Sequence, residues 1–284
     1  MRRLPLYAIP EKHIKNMNIK TFIVDSFTNI PFKGNPAGVC LLEEALSIEI
    51  MQSIAAELNL SETAFLLKTE NNHFTIRYFT PTIEVDFCGH ATLAASKIIL
   101  DKFNNETVNF TTHKGLQLNA NIEGEYLKML FPLYETTDYN ANKKLYDAFG
   151  IESAISTKFS KDLDMLIIEV KDKQILLDIN PDYQKAIESS KTIKEVVITS
   201  KSEDKDYDFY SRCFCPWIGI NEDPVTGASH SVLAKYWSTI LNKKEMSAFQ
   251  LSNRGGFLKL KIINDTELEI RSNARIVFEG EIKL

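Results

Sequence analysis

The sequence predicts an α+β fold in two similar halves, each made of many short strands and one buried helix. Strand-like segments rich in β-branched and aromatic residues recur along the chain and outnumber the helical segments. In each half, one helical segment consists almost entirely of small and apolar residues, which indicates burial on most sides. Strands do not alternate regularly with amphipathic helices, so we do not expect a doubly wound parallel sheet. A chain of 284 residues is long enough for two such halves.

The composition excludes several classes of protein. The net charge of −5 argues against nucleic acid or an anionic membrane as the main partner. No apolar stretch approaches the roughly 18–20 residues of a membrane span, and the first residues lack a signal-peptide pattern. Four cysteines are too few for a disulfide scaffold, so we expect them to be reduced. These features predict a cytoplasmic enzyme.

The first half of the chain supplies most of the predicted strands. Ser47 can cap a helix that stops at Asn59, because apolar residues between them recur at helical spacing. Polar and apolar residues alternate in His73–Phe79 as they do in a half-buried strand. The predicted elements are strands at residues 21–27 and 37–42, a helix at 48–58, strands at 62–67 and 73–79, a buried helix at 89–100, and strands at 107–110, 116–122 and 126–131.

The second half follows a polar, turn-rich segment, residues 132–142, which is the best candidate for a linker. Its predicted elements are a short helix at 141–149, strands at 165–170, 194–200 and 208–214, a buried helix at 228–241, and three short final strands. The predicted domains are accordingly an N-terminal extension (1–18), a first domain (19–131), a second domain (132–271), and a last strand (272–284) that returns to the first. Met17 is a candidate initiator, which would make residues 1–16 a ragged extension.

Two segments that begin at Arg77 and Arg212 resemble each other. Both open with Arg-x-Phe-x-Pro, both place an isoleucine two residues after the proline, and both lead through a glycine into the small-residue helix. The residue eleven positions after each arginine is Cys88 in the first segment and Asp223 in the second, so we expect these two residues to occupy corresponding positions. The resemblance predicts two halves packed around a pseudo-twofold axis, with their strand-to-helix turns facing each other across a cleft.

The paired turns are the predicted site of chemistry. Helices that start at Gly89 and Gly227 would direct free N–H groups and positive dipole ends into the cleft, where they suit a carboxylate or a developing enolate. Glu62 stands at the entry of an apolar strand, where apolar neighbours would raise its pKa as general acid/base work requires. The residues alone favour the alternative, a solvated glutamate at the end of a strand. His90 and Asp223 could contact substrate or cap helices.

The cysteines and the remaining polar motifs are less specific. At a helix N-terminus the pKa of the Cys88 thiol would fall and make it a nucleophile or base, although free cysteines are more often small buried hydrophobes. Cys213 and Cys215 share a strand face but lack the second pair of ligands that a structural zinc site takes, so no metal is expected. His230 is expected to pack. No glycine-rich phosphate loop occurs, and no cofactor is expected.

Five motifs in order resemble the phenazine-biosynthesis isomerase family, the PhzF-like proteins. They are DSFTNIPFKGNPAGV (25–39), LSETAFL (60–66), DFCGHATLA (86–94), EDPVTGASH (222–230) and QLSNRGG (250–256). The resemblance implies the diaminopimelate epimerase-like fold, in which two pseudo-symmetric domains each wrap a curved sheet around a central helix.

The resemblance also implies a cofactor-independent proton-transfer enzyme, usually a homodimer, that acts on a small carboxylate-bearing substrate. It gives the role of catalytic acid/base to Glu62 and assisting roles to His90 and Asp223. The residues it places around the substrate are Asn35, Ser61, Gly89, Gly227, Ala228 and Ser229. Ala228 departs from the family, which commonly has serine there, and Ser229 is the candidate replacement.

Two other functions fit the same motifs. One is an amino-acid racemase or epimerase that uses Cys88 as a base, although such enzymes place a thiol at both turns. The other is a protein that binds small carboxylates without catalysis, since a fold does not determine a function.

Overall fold

The computed structural model describes residues 17–284. The predicted extension of residues 1–16 lies outside the described residues, and the first strand begins at Asn18, within the segment assigned to the extension. The elements of the first half are β1 (Asn18–Ser26), β2 (Asn35–Leu42), α1 (Ile48–Leu58), β3 (Glu62–Glu70), β4 (His73–Phe79), β5 (Glu84–Val85), α2 (Gly89–Phe103), β6 (Thr107–Thr112), β7 (Gln117–Glu123) and β8 (Tyr126–Pro132).

The second half repeats this order with two additional short helices. Its elements are β9 (Thr137–Asp138), α3 (Lys143–Phe149), β10 (Ser156–Ser160), β11 (Met165–Glu169), α4 (Lys173–Asp178), α5 (Tyr183–Ser189), β12 (Glu195–Lys201), β13 (Phe209–Cys215), β14 (Ile220–Asp223), α6 (Gly227–Leu241), β15 (Glu245–Gln250), β16 (Gly256–Ile262), β17 (Glu267–Ser272) and β18 (Ala274–Lys283). A single 3-10 turn, Pro216–Ile218, separates β13 from β14.

The strands of both halves follow one topology. The first half pairs in the order β18-β1-β2-β3-β4-β6-β7-β8, and β8 continues antiparallel into β17 of the second half. The second half pairs in the order β17-β16-β15-β13-β12-β11-β10-β9. Parallel pairs stand at matching places: β2 with β3 and β4 with β6, then β11 with β12 and β13 with β15. The predicted α+β fold with two pseudo-symmetric halves is therefore confirmed.

The two halves exchange one strand each. β9 follows β8 along the chain but pairs with β10, and β18 follows β17 but pairs along the whole of β1. In the second exchange Asn18 lies opposite Lys283, so the first and last described strands are neighbours. The segment expected to be a linker thus contributes a strand to the half that it precedes.

Helices α2 and α6 form the centre of the core. Ten of the fifteen residues of α2 are buried, from His90 to Leu100 with one exception. Trp237 of α6 is fully buried and donates from Nε1 to Thr199 Oγ1 at 2.9 Å, which satisfies its polar edge. Their small residues allow sheet to pack around most of each helix, as the sequence predicts. No helix among residues 17–284 has the length and apolar character needed to cross a bilayer.

Short helices cover the outer face of the second half. Residues of β11 alternate between two cores: Met165 and Ile167 pack in the core around α2 and α6, whereas Leu166 and Ile168 pack in a second core with α3, α4 and α5. This explains why β11 is apolar at consecutive positions. Helices α4 and α5 were not predicted, because they have six and seven residues and offer little periodicity.

Candidate active site

The N-termini of α2 and α6 meet at Phe131, where the two halves join. A Cβ atom added to Gly89 would come within 2.7 Å of Phe131 Cε1, and one added to Gly227 within 3.1 Å of the same atom. Only glycine lets both helices start this close to one ring. The N-cap residues, Cys88 and Thr226, make no capping hydrogen bond through their side chains. Both helix ends therefore keep N–H groups for a ligand.

Glu62 and His90 form a buried pair at this junction. Glu62 is the first residue of β3, and His90 is the second residue of α2. His90 Nε2 lies 3.2 Å from Glu62 Oε2 and 3.3 Å from Ser61 Oγ, and Ser26 fixes the turn by donating to the His90 carbonyl at 2.7 Å. Glu62 Oε2 has no hydrogen bond of normal geometry within the described chain.

The two groups set each other's pKa. Burial raises the pKa of Glu62, but the positive charge and close contact of His90 outweigh burial, so the pKa falls below its usual range. Burial lowers the pKa of His90, but the neighbouring Cys88 and Glu62 side chains outweigh burial and raise it well above its usual range. The pair is therefore a carboxylate beside an imidazolium. The expectation that apolar neighbours raise the pKa of Glu62 was wrong, because it left out His90.

Cys88 is a thiol rather than a thiolate in this setting. Its Sγ lies 3.3 Å from His90 Nδ1, and the side chain is buried. Burial and the charge of Glu62 raise the pKa of Cys88, although His90 opposes them. The expectation that the helix N-terminus lowers this pKa was wrong, because the carboxylate and the loss of water dominate.

Asp223 comes from the opposite half and is held by three side chains. Asn35 Nδ2 donates to Asp223 Oδ1 at 2.8 Å and to the Val225 carbonyl at 2.9 Å, and the Thr226 hydroxyl donates to Asp223 Oδ2. Gln250 Nε2 donates to the Asp223 carbonyl at 2.7 Å. Burial raises the pKa of Asp223, although His90 and these hydrogen bonds lower it in part. A buried carboxyl with a raised pKa is suited to giving and taking a proton.

The structure corrects the matching of Cys88 with Asp223. Cys88 is the N-cap of α2, and Thr226 is the N-cap of α6, so these two positions correspond. Asp223 instead pairs with Cys213 in the sheet, and the corresponding pair in the first half is Val85 with Tyr78. Asp223 therefore corresponds to Val85. The count of eleven failed because the second turn carries three additional residues around its 3-10 segment.

Other predicted site residues take different places. Ser229 is fully buried and donates to the Thr226 carbonyl at 2.9 Å, so its hydroxyl is committed within α6. Ala228 is the second residue of α6, the position that corresponds to His90 in α2. His230 packs against Phe209 at 6.0 Å between ring centroids, and burial lowers its pKa to about 4.

Three residues near the site were not predicted. Ser26, Thr226 and Gln250 hold the turn, Asp223 and the start of α6. Thr226 and Gln250 belong to quoted motifs, so the motifs were the available signal. Sequence could not show that their side chains meet, because Gln250 reaches Thr226 only through the parallel pairing of β13 with β15.

Two groups of potential metal donors do not fit a bound ion well. The donor atoms of Glu62, Cys88 and His90 lie within 4.8 Å of one another, as do those of Glu195, Cys213 and Cys215. A protonated His90 offers no lone pair, and raised pKa values keep all three thiols protonated. We assign no metal to either group.

Comparison with known proteins places the chain in a family. The family model described as "Phenazine biosynthesis-like protein" (PhzC-PhzF) matches residues 24–280. An uncharacterized isomerase of Halalkalibacterium halodurans is 42% identical over 253 residues, covering 88% of this chain and 93% of its own. The mouse phenazine biosynthesis-like domain-containing protein 2 is 40% identical over 287 residues, covering 94% of this chain and 99% of its own.

Solved structures agree with this assignment. The crystal structure of a PhzF-family phenazine biosynthesis protein from Enterococcus faecalis superposes with a TM-score of 0.87 at 36% identity, covering 94% of this chain and 100% of that one. A probable proline racemase from Agrobacterium radiobacter shares the fold alone, with a TM-score of 0.56 at 11% identity, covering 93% of this chain and 92% of that one. The chain belongs to the phenazine biosynthesis-like, or PhzC-PhzF, family.

Proposed function

We propose that the protein is an isomerase that moves a proton within a small carboxylate-bearing substrate, held in a cleft between the two halves. Membership of the family and the description of a 42%-identical relative as an isomerase support an isomerase-type activity. The finer assignment rests on the chemistry of the junction, where the chain's own groups supply an acid, a base and an anion site.

The pairing of Glu62 with His90 beside a buried Asp223 carries the proposal. Glu62 is a carboxylate with an oxygen that lacks a normal hydrogen bond, so it can accept a proton from a substrate carbon and return it to another. His90 as an imidazolium stabilises the negative charge that develops. Burial raises the pKa of Asp223, which favours its part as the second group that exchanges protons with the substrate.

The helix N-termini complete the scheme as the anion site. The helices that begin at Gly89 and Gly227 come from different halves, both start beside Phe131, and neither has a side-chain cap for its first N–H groups. The dipoles of α2 and α6 favour a negative group there. We propose that they hold the substrate carboxylate, with Ser61 and Asn35 lining the same space. This scheme needs no cofactor.

The test is deuterium uptake from heavy water into a substrate carbon, with dihydro-hydroxyanthranilate and a pool of amino and hydroxy acids as probes. The Glu62→Gln substitution keeps size and removes the base, so we expect uptake to fall by at least about 100-fold. Glu70→Gln, an exposed glutamate on the same strand, is the matched control. Cys88→Ser should leave uptake largely intact.

Each alternative outcome has a clear meaning. Uptake that survives Glu62→Gln would overturn the assigned base. Uptake at an amino-acid α-carbon that is lost in Cys88→Ser would identify a racemase or epimerase instead. Binding of small carboxylates without uptake by the wild type would point to a non-catalytic binding protein.

A further inference from the structure

A second glutamate occupies the position that corresponds to Glu62. Glu62 begins β3 and Glu195 begins β12, and these strands hold the same place in the two halves. The register confirms the match. The residue after Glu62 lies opposite Phe79, and the residue after Glu195 lies opposite Phe214, the two phenylalanines of the repeated Arg-x-Phe segments.

Glu195 lies in a row of polar groups that leads to Asp223. Val197 pairs with Cys213, so Glu195, two residues earlier, shares the sheet face of Cys213. Cys213 Sγ lies 3.9 Å from Glu195 Oε2. On the other side of β13, Cys213 lies opposite Asp223 of β14. Residues that lie opposite each other point to the same face, so Cys213 stands between the two carboxyl groups.

The surroundings of Glu195 raise its pKa into the neutral range, so it can hold or release a proton there. Burial and the negative charge of Asp223 raise the pKa of Glu195 to about 7, against smaller opposing effects of Cys213 and Lys194. Lys194 is engaged with Asp164 at 2.8 Å. A further titratable neighbour on this face is Cys215, whose Sγ lies 3.7 Å from that of Cys213.

The groups between Glu195 and Asp223 can each give and take a proton. Although the hydrogen bond with Cys215 lowers the pKa of Cys213, burial and the charges of Glu195 and Asp223 raise it overall, so the thiol stays protonated. Contact with the Thr226 hydroxyl lowers the pKa of the Cys213 thiol, and the same hydroxyl donates to Asp223 Oδ2. A thiol and a hydroxyl are both donors and acceptors.

We propose that Glu195 is the proton store of Asp223, connected to it through the Cys213 thiol and the Thr226 hydroxyl. When Asp223 has given up its proton, Glu195 passes a proton to Cys213, Cys213 passes its own to Thr226, and Thr226 passes its own to Asp223. The thiol and hydroxyl are regenerated, Glu195 becomes a carboxylate, and the net charge is unchanged. Glu195 is thus a positioning residue that acts through Asp223, and solvent returns its proton.

This inference rests on the proposed role of Asp223, so its first test uses no substrate. Protein with ¹³C-labelled glutamate and aspartate carboxyl groups is titrated by NMR. We expect one glutamate signal with a midpoint at about 7, absent in Glu195→Gln and moved to lower pH in Asp223→Asn. Glu245→Gln, which replaces an exposed glutamate that also begins a strand, should leave it in place. A Glu195 midpoint near 4, or one unmoved in Asp223→Asn, would overturn the proposal.

The second test is the pH profile of deuterium uptake into dihydro-hydroxyanthranilate. Glu195→Gln should lower kcat by about tenfold with KM unchanged and remove the decline above neutral pH. Cys213→Ala should lower kcat by a similar factor, whereas Cys213→Ser should retain the wild-type kcat, because the serine hydroxyl replaces the thiol. A wild-type profile in Glu195→Gln, with uptake lost in Glu62→Gln, would overturn this inference and leave the proposed function standing. Absence of uptake in the wild type would count against the proposed function, and the titration would decide on Glu195.

Discussion

Individual residues show which properties of the site could be predicted from the sequence and which could not. The motifs single out Glu62, His90 and Asp223, and the structure brings all three to the junction of the halves. The direction of the Glu62 pKa shift could not be predicted, because it depends on the 3.2 Å approach of His90 through folding. The residue that corresponds to Cys88 was misidentified, because counting from each arginine does not reveal that the second turn is three residues longer than the first.

His230 makes the protein sensitive to acid. Its folded pKa, about 4, lies below the unfolded value of about 6.5, so its neutral form stabilises the fold above pH 6.5. That stability is lost as the pH falls toward 4, by up to about 3 kcal/mol. His230→Asn keeps a donor for the Thr226 carbonyl and should flatten this loss. Urea unfolding between pH 4 and 7 measures it.

A half-exposed histidine provides the control for this prediction. His73→Asn, on β4, should retain the wild-type loss of stability in acid. If His230→Asn loses stability between pH 6.5 and 4 as steeply as the wild type does, the acid sensitivity has another source.

Whole elements were predictable where their patterns are long. The eleven-residue helix from Ile48 and both fifteen-residue central helices were found from periodicity and small-residue content. The short helices α4 and α5 were missed, although Asp172 and Asp182 cap them as the common N-cap residues do. Helix α4 packs on β12 and β13, and α5 packs on α3, so both are stabilised by contacts that no local pattern records.

The start of α2 tolerates no side chain. Gly89→Ala would bring a Cβ to 2.7 Å from Phe131, so we expect a loss of about 1–3 kcal/mol in the free energy of unfolding. Gly227→Ala, with 3.1 Å to the same atom, should cost less. Urea denaturation measures both losses.

A double variant tests whether contact with the Phe131 ring causes the loss of stability in Gly89→Ala. Phe131→Leu should make Gly89→Ala less harmful, so the pair together should destabilise less than the sum of the single variants. Additive losses would show that the ring does not limit the turn.

At the scale of the molecule, the sequence showed the duplication but not the strand exchange. The Arg-x-Phe-x-Pro repeat is visible in the sequence of the two turns, whereas the pairing of β9 and β18 with the opposite half depends on registers between distant segments. β18 supplies ten residues to the edge of β1, and its partner includes the buried Phe22.

The last strand is therefore required for the first half to fold. A chain that ends at Asn273 exposes the full edge of β1, so we expect loss of cooperative unfolding, aggregation, or both. Circular dichroism during a thermal melt is the measurement, with removal of Leu284 alone as the control. A truncated chain with a wild-type melt would show that β18 is dispensable.

The family resemblance predicts a homodimer, which light scattering on the purified protein can test directly. We expect a mass of twice 32.4 kDa for the 284-residue chain. A mass of one chain over the micromolar range would contradict the prediction.

The exchange of strands between the halves also indicates where the chain could be circularly permuted. Asn18 and Lys283 are paired neighbours, so a short linker could join the ends of the described chain. By pseudo-symmetry, the ends of the chain at β18 and β1 correspond to the connection between β9 and β10. The chain could therefore be opened in the surface segment before α3. Such a circular permutant would place Asp223 in the leading half and Glu62 in the trailing one, with every strand pair retained. We therefore expect the order of the two halves along the chain not to be required for folding.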